Sequence, residues 1–427
     1  MIKLWHRLFL EDRPSIGLSF FRIAAALTTI LHVLPTLVHL DENYFPTAFK
    51  TYNVNFFTIG FLETVQKSPE WLIVTFVGIF VIFSFLFLIG LWSQVSCVLM
   101  VMSCYYFYAL NSFHVGTLSW DILLVTLFLM CITDHHGDYF SVDALLRQDP
   151  ESFKKKRPVF IQRLLQMQVG FTFFYTALYK VSASGNWLHD NPIYYLMNYP
   201  AAGVTKTFLL REFIIDKPQL CYLLGILILS VEFLFIFLLF WRKTRISAIY
   251  LGIFFHITLI LTLDVPAIFF FLFPAQLLLF INSKDIVRWV ENRRDVHAVS
   301  SRRIKLIYDG HCQLCLSSMR SLRVMDLFAL LEMIDAQTLS DPALLHPQMT
   351  KEDLRSQICL IDSSGSLFKG FEVFRFLACR LPMMFPLIPA FYFPGMGVLG
   401  PIIYKLIAKN RYLLHWAVLC KDNSCLR

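Results

Sequence analysis

The sequence predicts a polytopic α-helical membrane protein of about eight transmembrane helices with a smaller C-terminal α/β domain, and three observations carry that prediction. The 427 residues are 57% hydrophobic, with 43 Phe and a mean hydropathy of +0.59, against about 45–50% apolar in an average soluble domain. From Trp71 to Trp120 there is no Asp, Glu, Lys or Arg, a run more than twice the length of about 20 residues that one span needs. Past residue 303 a strand, a turn and a helix read in succession, at Ile304–Tyr308, Asp309-Gly310 and Gln313–Met325, and the α/β fold of the whole segment is what a family resemblance described below implies.

Taken in order, the apolar segments are Ile16–Leu37, Trp71–Leu91, Val95–Leu110, Phe113–Thr133, Val159–Tyr179, Gln219–Phe240, Ile246–Leu263 and Val265–Phe280. No secretory signal with a small-residue cleavage site precedes the first, which is expected to stay as an anchor. Basic residues sort by loop. One side takes Lys3, Arg7 and Arg13, then Lys154-Lys155-Lys156-Arg157, then Arg242-Lys243-Thr244-Arg245, then Lys284, Arg288, Arg293 and Arg294. The alternate loops hold little besides Lys50, Lys67, Lys206, Arg211 and Lys217. Cytoplasmic segments carry the excess of Lys and Arg, so eight spans with both ends cytoplasmic satisfy the pattern. The net charge of +8 belongs to this orientation and not to nucleic acid, for which no motif is present. Two larger loops, 41–70 and 181–218, fall on the far side and are long enough to cap a cavity.

Ser283 to Arg303, charged and weakly apolar, reads as a helical linker. After it, Ile304–Tyr308 reads as a strand, Asp309-Gly310 as a turn and Gln313–Met325 as a helix, which places Cys312 and Cys315 at the helix start. Two thiols at Cys-x-x-Cys spacing can close a disulfide. A helix N-terminus favours negative charge, so Cys312 is expected to form a thiolate, the reactive species, more readily than a free cysteine. The alternatives are an inert buried pair, or a zinc knuckle completed by Cys420 and Cys425 or by Cys359 and Cys379. Cys97, Cys104, Cys131 and Cys221 fall in or beside spans and read as small packing residues.

The stretch Asp309, Gly310, Cys312, Cys315 resembles the signature of the DCC family of thiol-disulfide oxidoreductases. Further agreement lies at Asp335, at Asp362-Ser363-Ser364-Gly365 with Gly370, and along Tyr404 to Tyr412. The resemblance covers 302–427 and implies a thioredoxin-like α/β fold, with Cys312 attacking a substrate disulfide and Cys315 resolving the mixed disulfide. No proline stands just before the third strand, Gln357–Ile361, where thioredoxins carry one facing the thiols. Because cytosolic thiols are kept reduced, a cytosolic pair would cycle and not stay locked.

Leu381 to Tyr404 carries no charge and is long enough to span. Pro382, Pro386, Pro389, Pro394 and Pro401, with Gly395, Gly397 and Gly400, would break the backbone ladder that a lipid-exposed helix keeps intact. It reads as an apolar flap that packs on the redox domain or dips into the cytosolic leaflet, with a ninth span as the alternative.

Ionisable groups within spans cost about 2.5–3.5 kcal/mol each at the centre on insertion scales and need a reason. Arg22, Asp121, Lys180, Glu232, His256 and Asp264 are such groups. Interhelical pairing is one reason, for example Arg22 with Asp121 or Glu232, and snorkelling of Lys180 is another. A second resemblance supplies a third. Ser19-Phe20-Phe21-Arg22-Ile23, Trp120-Asp121, Tyr175 to Lys180 followed by Asn186-Trp187, and His256 before a Phe-rich segment are similar to the HTTM family, the bacterial relatives of vitamin K-dependent gamma-carboxylase, over residues 10–285. That likeness implies Lys180 as a base toward a quinone-type cofactor, assisted by His256, and a bacterial inner-membrane location. The carboxylase's β-rich substrate domain has no counterpart here, so carboxylation of peptide glutamate is not expected.

The domains expected are therefore an HTTM-like transmembrane domain at 10–283, a linker helix at 284–303 and a DCC-like thioredoxin-fold domain at 304–427. The leading functional reading is a membrane-tethered thiol-disulfide oxidoreductase working through Cys312 and Cys315, coupled to a quinone or another lipid-soluble substrate in the membrane domain. The partners expected are the bilayer, a cytosolic thiol protein and that lipid-soluble molecule, with no metal. Two further readings stay open: quinone-dependent base chemistry at Lys180 and His256 with an accessory thiol domain, and a non-enzymatic scaffold with a redox sensor.

Overall fold

In the computed structural model the residues described are 5–48, 62–111, 118–182, 187, 189, 191–198, 210–263, 267–299 and 303–411. The expected loop positions 49–61 and 199–209, the first residues of the expected span Phe113–Thr133, Asn186, Asp264, Tyr412, and Cys420 with Cys425 lie outside them. The chain divides into two compact units, 1–141 with 156–283, and 142–155 with 284–427.

The first unit is helical. Five helices are long and apolar enough to cross a membrane: Ile16–Leu37, Glu70–Ile89, Ser93–Leu110, Pro218–Phe240 and Arg245–Thr262. In chain order the main helices are α1 (Ile16–Val33, extended by a 3-10 turn at Leu34–Leu37), α2 (Glu70–Ile89), α3 (Ser93–Leu110), α4 (Leu118–Cys131), α5 (Phe160–Val181), α6 (Pro218–Phe240), α7 (Arg245–Thr262) and α8 (Leu272–Leu278).

The expected count of eight spans is not met among the described residues. The expected span Val265–Phe280 is a 3-10 turn, Ala267–Phe269, followed by α8 of 7 residues, about 10 Å of helix against a hydrocarbon core of about 30 Å. Pro274 in the first turn of α8 has no N–H to give to an earlier carbonyl, which stops the helix from running back as one rod. α4 is described over 14 residues, and its first, Leu118, follows directly on 112–117, which lie outside the described residues. α5 has the length but carries Gln162, Arg163, Gln166 and Gln168. These amides are internal fasteners: Gln162 and Gln166 donate to the Leu279 carbonyl at 2.6 and 2.7 Å, and Gln168 donates to the Ile122 carbonyl at 2.9 Å. Where water is excluded such groups stay buried only if bonded.

α2 ends where Gly90 turns left-handed at φ +71°. Only glycine fits there, since a Cβ would overlap the Arg22 guanidinium and Ser141. A short antiparallel pair, β1 (Asp12–Pro14) with β2 (Lys156–Pro158), ties the residues before α1 to those before α5.

The second unit is a mixed sheet flanked by helices. The linker is α9 (Ser283–Val299), followed by β3 (Ile304–Tyr308), α10 (Gln313–Met325), β4 (Leu331–Asp335), α11 (Lys351–Ser356), β5 (Cys359–Ile361), β6 (Leu367–Lys369), α12 (Phe371–Ala378) and α13 (Met396–Lys409). Sheet order is β4-β3-β5-β6. β3 runs parallel to β4 and antiparallel to β5, and β5 antiparallel to β6. A parallel neighbour requires a crossover, which α10 supplies. Leu306 and Leu360 pack with Val373, Leu377 and Leu381 on one face, and Ile307 and Cys359 with Met349 and Leu354 on the other. Both faces are covered, so buried apolar residues follow one another without alternating at Leu306-Ile307 in β3 and along all of β5.

The second unit also takes in 142–155, a segment the sequence had placed in the transmembrane domain. Its Gln148 donates to Ser317 on α10 at 3.2 Å. Its Glu151 receives Arg294 at 2.8 Å and its Lys154 reaches Glu291 at 2.9 Å, both on α9.

The uncharged stretch from Leu381 is not one continuous helix. A 3-10 helix at Pro382–Leu387 and a short helix at Ile388–Phe391 precede Gly395, left-handed at φ +95°, and α13 begins there. The segment packs on α12 through Phe371 and Phe391, rings 5.7 Å apart, in keeping with the flap. α13 leaves Val398, Leu399, Ile402 and Leu406 exposed.

Candidate active site

The thiol pair is set by the end of one strand and the start of the next helix. β3 delivers Asp309 and Gly310 directly after Tyr308, whose parallel partner is Asp335 at the end of β4. Asp335 Oδ1 accepts the Gly310 N–H at 3.1 Å and the Gln337 N–H at 2.9 Å. The approach is so close that a Cβ at position 310 would collide with the Asp335 carboxylate. Asp309 Oδ1 in turn accepts the His311 N–H at 3.1 Å and the Gln337 side-chain amide at 3.0 Å, and its Oδ2 accepts from Arg411 at 3.1 Å. Two carboxylates thus brace the turn that presents the cysteines.

Cys312 is the N-cap of α10, and its Sγ accepts the Cys315 backbone N–H at 3.2 Å. A cap of this kind satisfies one of the four N–H groups left open at a helix start. Both cysteines are free thiols. Their exposures differ: Cys312 is 0% exposed and Cys315 is half-buried. Burial first, then the hydrogen bond to Cys312, pushes the Cys315 thiol up to about 12.

Cys315 stands in the wall of a cavity of about 340 Å³, lined chiefly by apolar side chains that include Ile358, Phe371, Phe374 and Ile407, with Tyr404 and Arg411 at its polar edge. The Tyr404 hydroxyl accepts the Ile358 N–H at 2.9 Å. Ile358 directly precedes β5, where the sequence lacks proline. A proline would have no N–H to give, so Tyr404 and the missing proline are two sides of one arrangement. Arg411, Tyr404 and Gln337 complete the site. The sequence flagged the stretch containing Tyr404 and Arg411 without giving either a role, and nothing local marks Gln337, because its contact spans 28 residues.

Among the described residues no group of three or more His, Cys, Asp or Glu is arranged to hold a metal ion. Cys359, which sequence reasoning offered as a zinc ligand, is buried in the sheet core and its thiol is pushed up to about 12 by burial. Cys379 is exposed and bonds the Tyr392 hydroxyl at 3.5 Å.

In the first unit Arg22, Asp121, Lys180 and Glu232 have hydrogen-bond partners, and His256 has none among the described residues. Arg22 is fully buried and donates to the carbonyls of His136, Leu88 and Phe140, so the suggested pairing with Asp121 or Glu232 is not formed. Asp121 accepts the Tyr108 hydroxyl at 2.6 Å. Glu232 pairs instead with Lys180, at 2.6 and 2.7 Å, joining α5 to α6. The Lys180 ammonium also lies 4.3 Å from the centre of the Trp187 ring. His256 is buried, stacked on Phe273 at 5.3 Å and 14°, and neither ring nitrogen has a hydrogen-bond partner among the described residues. No hydrogen bond joins Lys180 to His256 among those residues.

Two family models match the chain: one described as the HTTM domain over residues 11–284, and one described as a DCC1-like thiol-disulfide oxidoreductase over residues 306–417. No curated protein and no solved structure matches.

Proposed function

From a chain that belongs to the HTTM family and carries a DCC1-like thiol-disulfide oxidoreductase domain, we propose an integral membrane thiol-disulfide oxidoreductase whose working pair is Cys312 and Cys315. The observation that carries this reading is the capped thiol: Cys312 sits at the start of α10 and receives the N–H of the cysteine with which it would close a disulfide. In the cycle, two thiols give two electrons to a substrate disulfide, their protons pass to the two sulfurs released, and a Cys312–Cys315 bond remains. The strand order β4-β3-β5-β6 and the helix that follows β3 support a thioredoxin-like placement of the pair. The basic clusters Lys154 to Arg157 and Lys284 to Arg294, which lie at the borders of the second unit, support a cytoplasmic position for it.

The test is oxidation of the full-length protein in detergent with excess disulfide reagent, followed by peptide mass mapping. The expected product is a Cys312–Cys315 bond that a dithiol reductant reopens. If both thiols stay free, or oxidation yields only other pairings, the reading fails and a scaffold role is left.

One observation favours a second activity in the membrane unit. His256 holds two ring nitrogens without a hydrogen-bond partner among the described residues, amid Phe173, Phe269 and Phe273, an apolar setting suited to a quinone ring, and Lys180, paired with Glu232, would have to leave that pair to act as a base. Base chemistry on a bound quinone is the activity this would serve. Its test is a quinone retained through purification by the wild type and lost in His256→Leu at equal yield of folded protein; equal retention by both counts against it.

A further inference from the structure

The cavity beside Cys315 bears on which sulfur meets the substrate and on what the substrate is. This inference rests on the thiol-disulfide reading above and extends it. Cys312 Sγ is closed off, with no exposed surface. Cys315 is open on one side, and that side is the cavity of about 340 Å³, within the usual range of about 300–1,000 Å³ for small-molecule pockets. The charged groups at its edge are already engaged, Asp309 with Arg411, Gln337 and the His311 N–H. A charged ligand would therefore lose its water without a free counter-charge in exchange, which costs several kcal/mol per ion. The approach is apolar as well: Ile403 and Ile407, both exposed, line the cavity, and the neighbouring Leu399, Ile402 and Leu406 of the same helix are exposed beside them.

We propose that this cavity binds a small, uncharged, apolar disulfide and that Cys315, not Cys312, carries the mixed disulfide with it. Cys315 Sγ bonds to one sulfur of R–S–S–R while the S–S bond breaks, and the departing sulfur takes the proton that Cys315 gives up. Cys312 Sγ then bonds to Cys315 Sγ and displaces the second R–S group, which takes the Cys312 proton. The substrate disulfide is reduced to two R–SH and the cysteine pair is oxidised. The roles are the reverse of those the sequence resemblance implies.

The experiment compares two probes on the full-length protein in detergent, 2,2′-dithiodipyridine, neutral and aromatic, and oxidised glutathione, charged, with each rate divided by that of free cysteine. Adducts are located by peptide mass mapping in the Cys312→Ser and Cys315→Ser variants. The expected result is a thiopyridyl group on Cys315 in Cys312→Ser, none on Cys312 in Cys315→Ser, and a preference for the neutral probe of at least about tenfold, equivalent to about 1.4 kcal/mol. Ala408→Phe, which fills the cavity from α13, lowers the neutral-probe rate by a similar factor. In the unaltered protein, diphenylmethane, an unreactive aromatic of similar size, slows labelling of Cys315, so the result does not depend on any variant folding. Adducts on Cys312, equal normalised rates, or no protection by diphenylmethane would overturn the proposal while leaving thiol exchange intact. Exchange at neither cysteine would remove the thiol-disulfide reading as well.

Discussion

Arg411 donates to the Asp309 carboxylate at 3.1 Å although 102 residues separate them, and both side chains are buried. The pair ties the residue just past the last described helix to the turn that presents the thiols. Removing Arg411 takes away a guanidinium while Asp309 keeps the His311 N–H and the Gln337 amide, so the loss falls below the roughly 3–5 kcal/mol of a buried charge left bare. Arg411→Met is therefore expected to speed hydrogen exchange in peptides spanning 304–325 of the full-length protein, and Asp309→Asn with Arg411→Met to recover part of the protection. Unchanged exchange in the single variant would show that the pair does not hold the turn.

The Gly310 turn has no room for a side chain. Gly310→Ala pushes a methyl group into the Asp335 carboxylate, and the expected result is loss of the Gly310 to Asp335 bond with destabilisation of about 1–3 kcal/mol, as overpacking gives elsewhere. The Asp335→Ala change in the same background should restore part of the stability by removing the obstacle. A Gly310→Ala protein with unaltered exchange across β3 and β4 would contradict the packing described.

Reactivity at Cys315 should depend steeply on alkalinity. Its thiol is pushed up to about 12 by burial and by Cys312, so the reactive thiolate is scarce at neutral pH and grows about tenfold per pH unit below that value. Iodoacetamide labelling of Cys315, followed by mass mapping, is expected to keep rising from pH 7 through pH 10. A plateau near the ordinary cysteine value of about 8.5 would mean that the surroundings do not suppress ionisation.

The Lys180 to Glu232 pair makes a similar prediction in the first unit. Lys180→Ala strands Glu232, whose side chain is 6% exposed, and the expected outcome is a fall in folded yield, with recovery when Glu232→Leu is added, since an apolar replacement of both partners is often tolerated. A single Lys180→Ala variant that assembles normally would show that the ion pair does not secure α5 to α6.

Acid should loosen the region around α11. Burial pushes the Asp353 carboxyl up, but Lys369, the Thr350 N–H and hydroxyl, and Gln357 together hold it down at about 2. A folded value below the unfolded value of about 3.9 means the stabilisation is present above pH 4 and fades as pH falls through 2. Asp353→Asn should thus raise hydrogen exchange in 350–369 at neutral pH and flatten its response to acid; an acid response equal to that of the wild type would exclude Asp353 as the source.

The parts of this molecule legible in its sequence are those that depend on near neighbours. The strand, turn and helix around Cys312 follow from a few consecutive residues, and they stand within one residue of expectation. Five of the eight apolar runs, those from Ile16, Trp71, Val95, Gln219 and Ile246, correspond to the five helices able to cross a membrane among the described residues. Hydropathy alone overcounts, because it registers the Phe-rich stretch before Pro274 without registering that proline interrupts its helix. Partnerships were the least legible. Glu232 meets Lys180 and not Arg22, since the choice is made by which helices lie side by side, and Arg22 turns to three carbonyls that no side-chain pattern reveals. The cavity at Cys315 is assembled from α10, β5, α12 and α13, four pieces with no common local signal.

The segment 142–155 is joined at both ends to the membrane unit yet belongs to the thiol unit, where it holds Ser317 through Gln148 and α9 through Glu151 and Lys154. The backbone therefore passes between the two units three times, at about residues 141, 155 and 283. A protease that cuts once within 299–303 would release no free thiol domain with its full set of contacts, and a C-terminal fragment made on its own would expose the flank of α10 that Gln148 covers. The helix that carries the two cysteines is thus completed by chain lying between α4 and α5, so the thiol unit reaches its final form only after α4 and α5 have both been made.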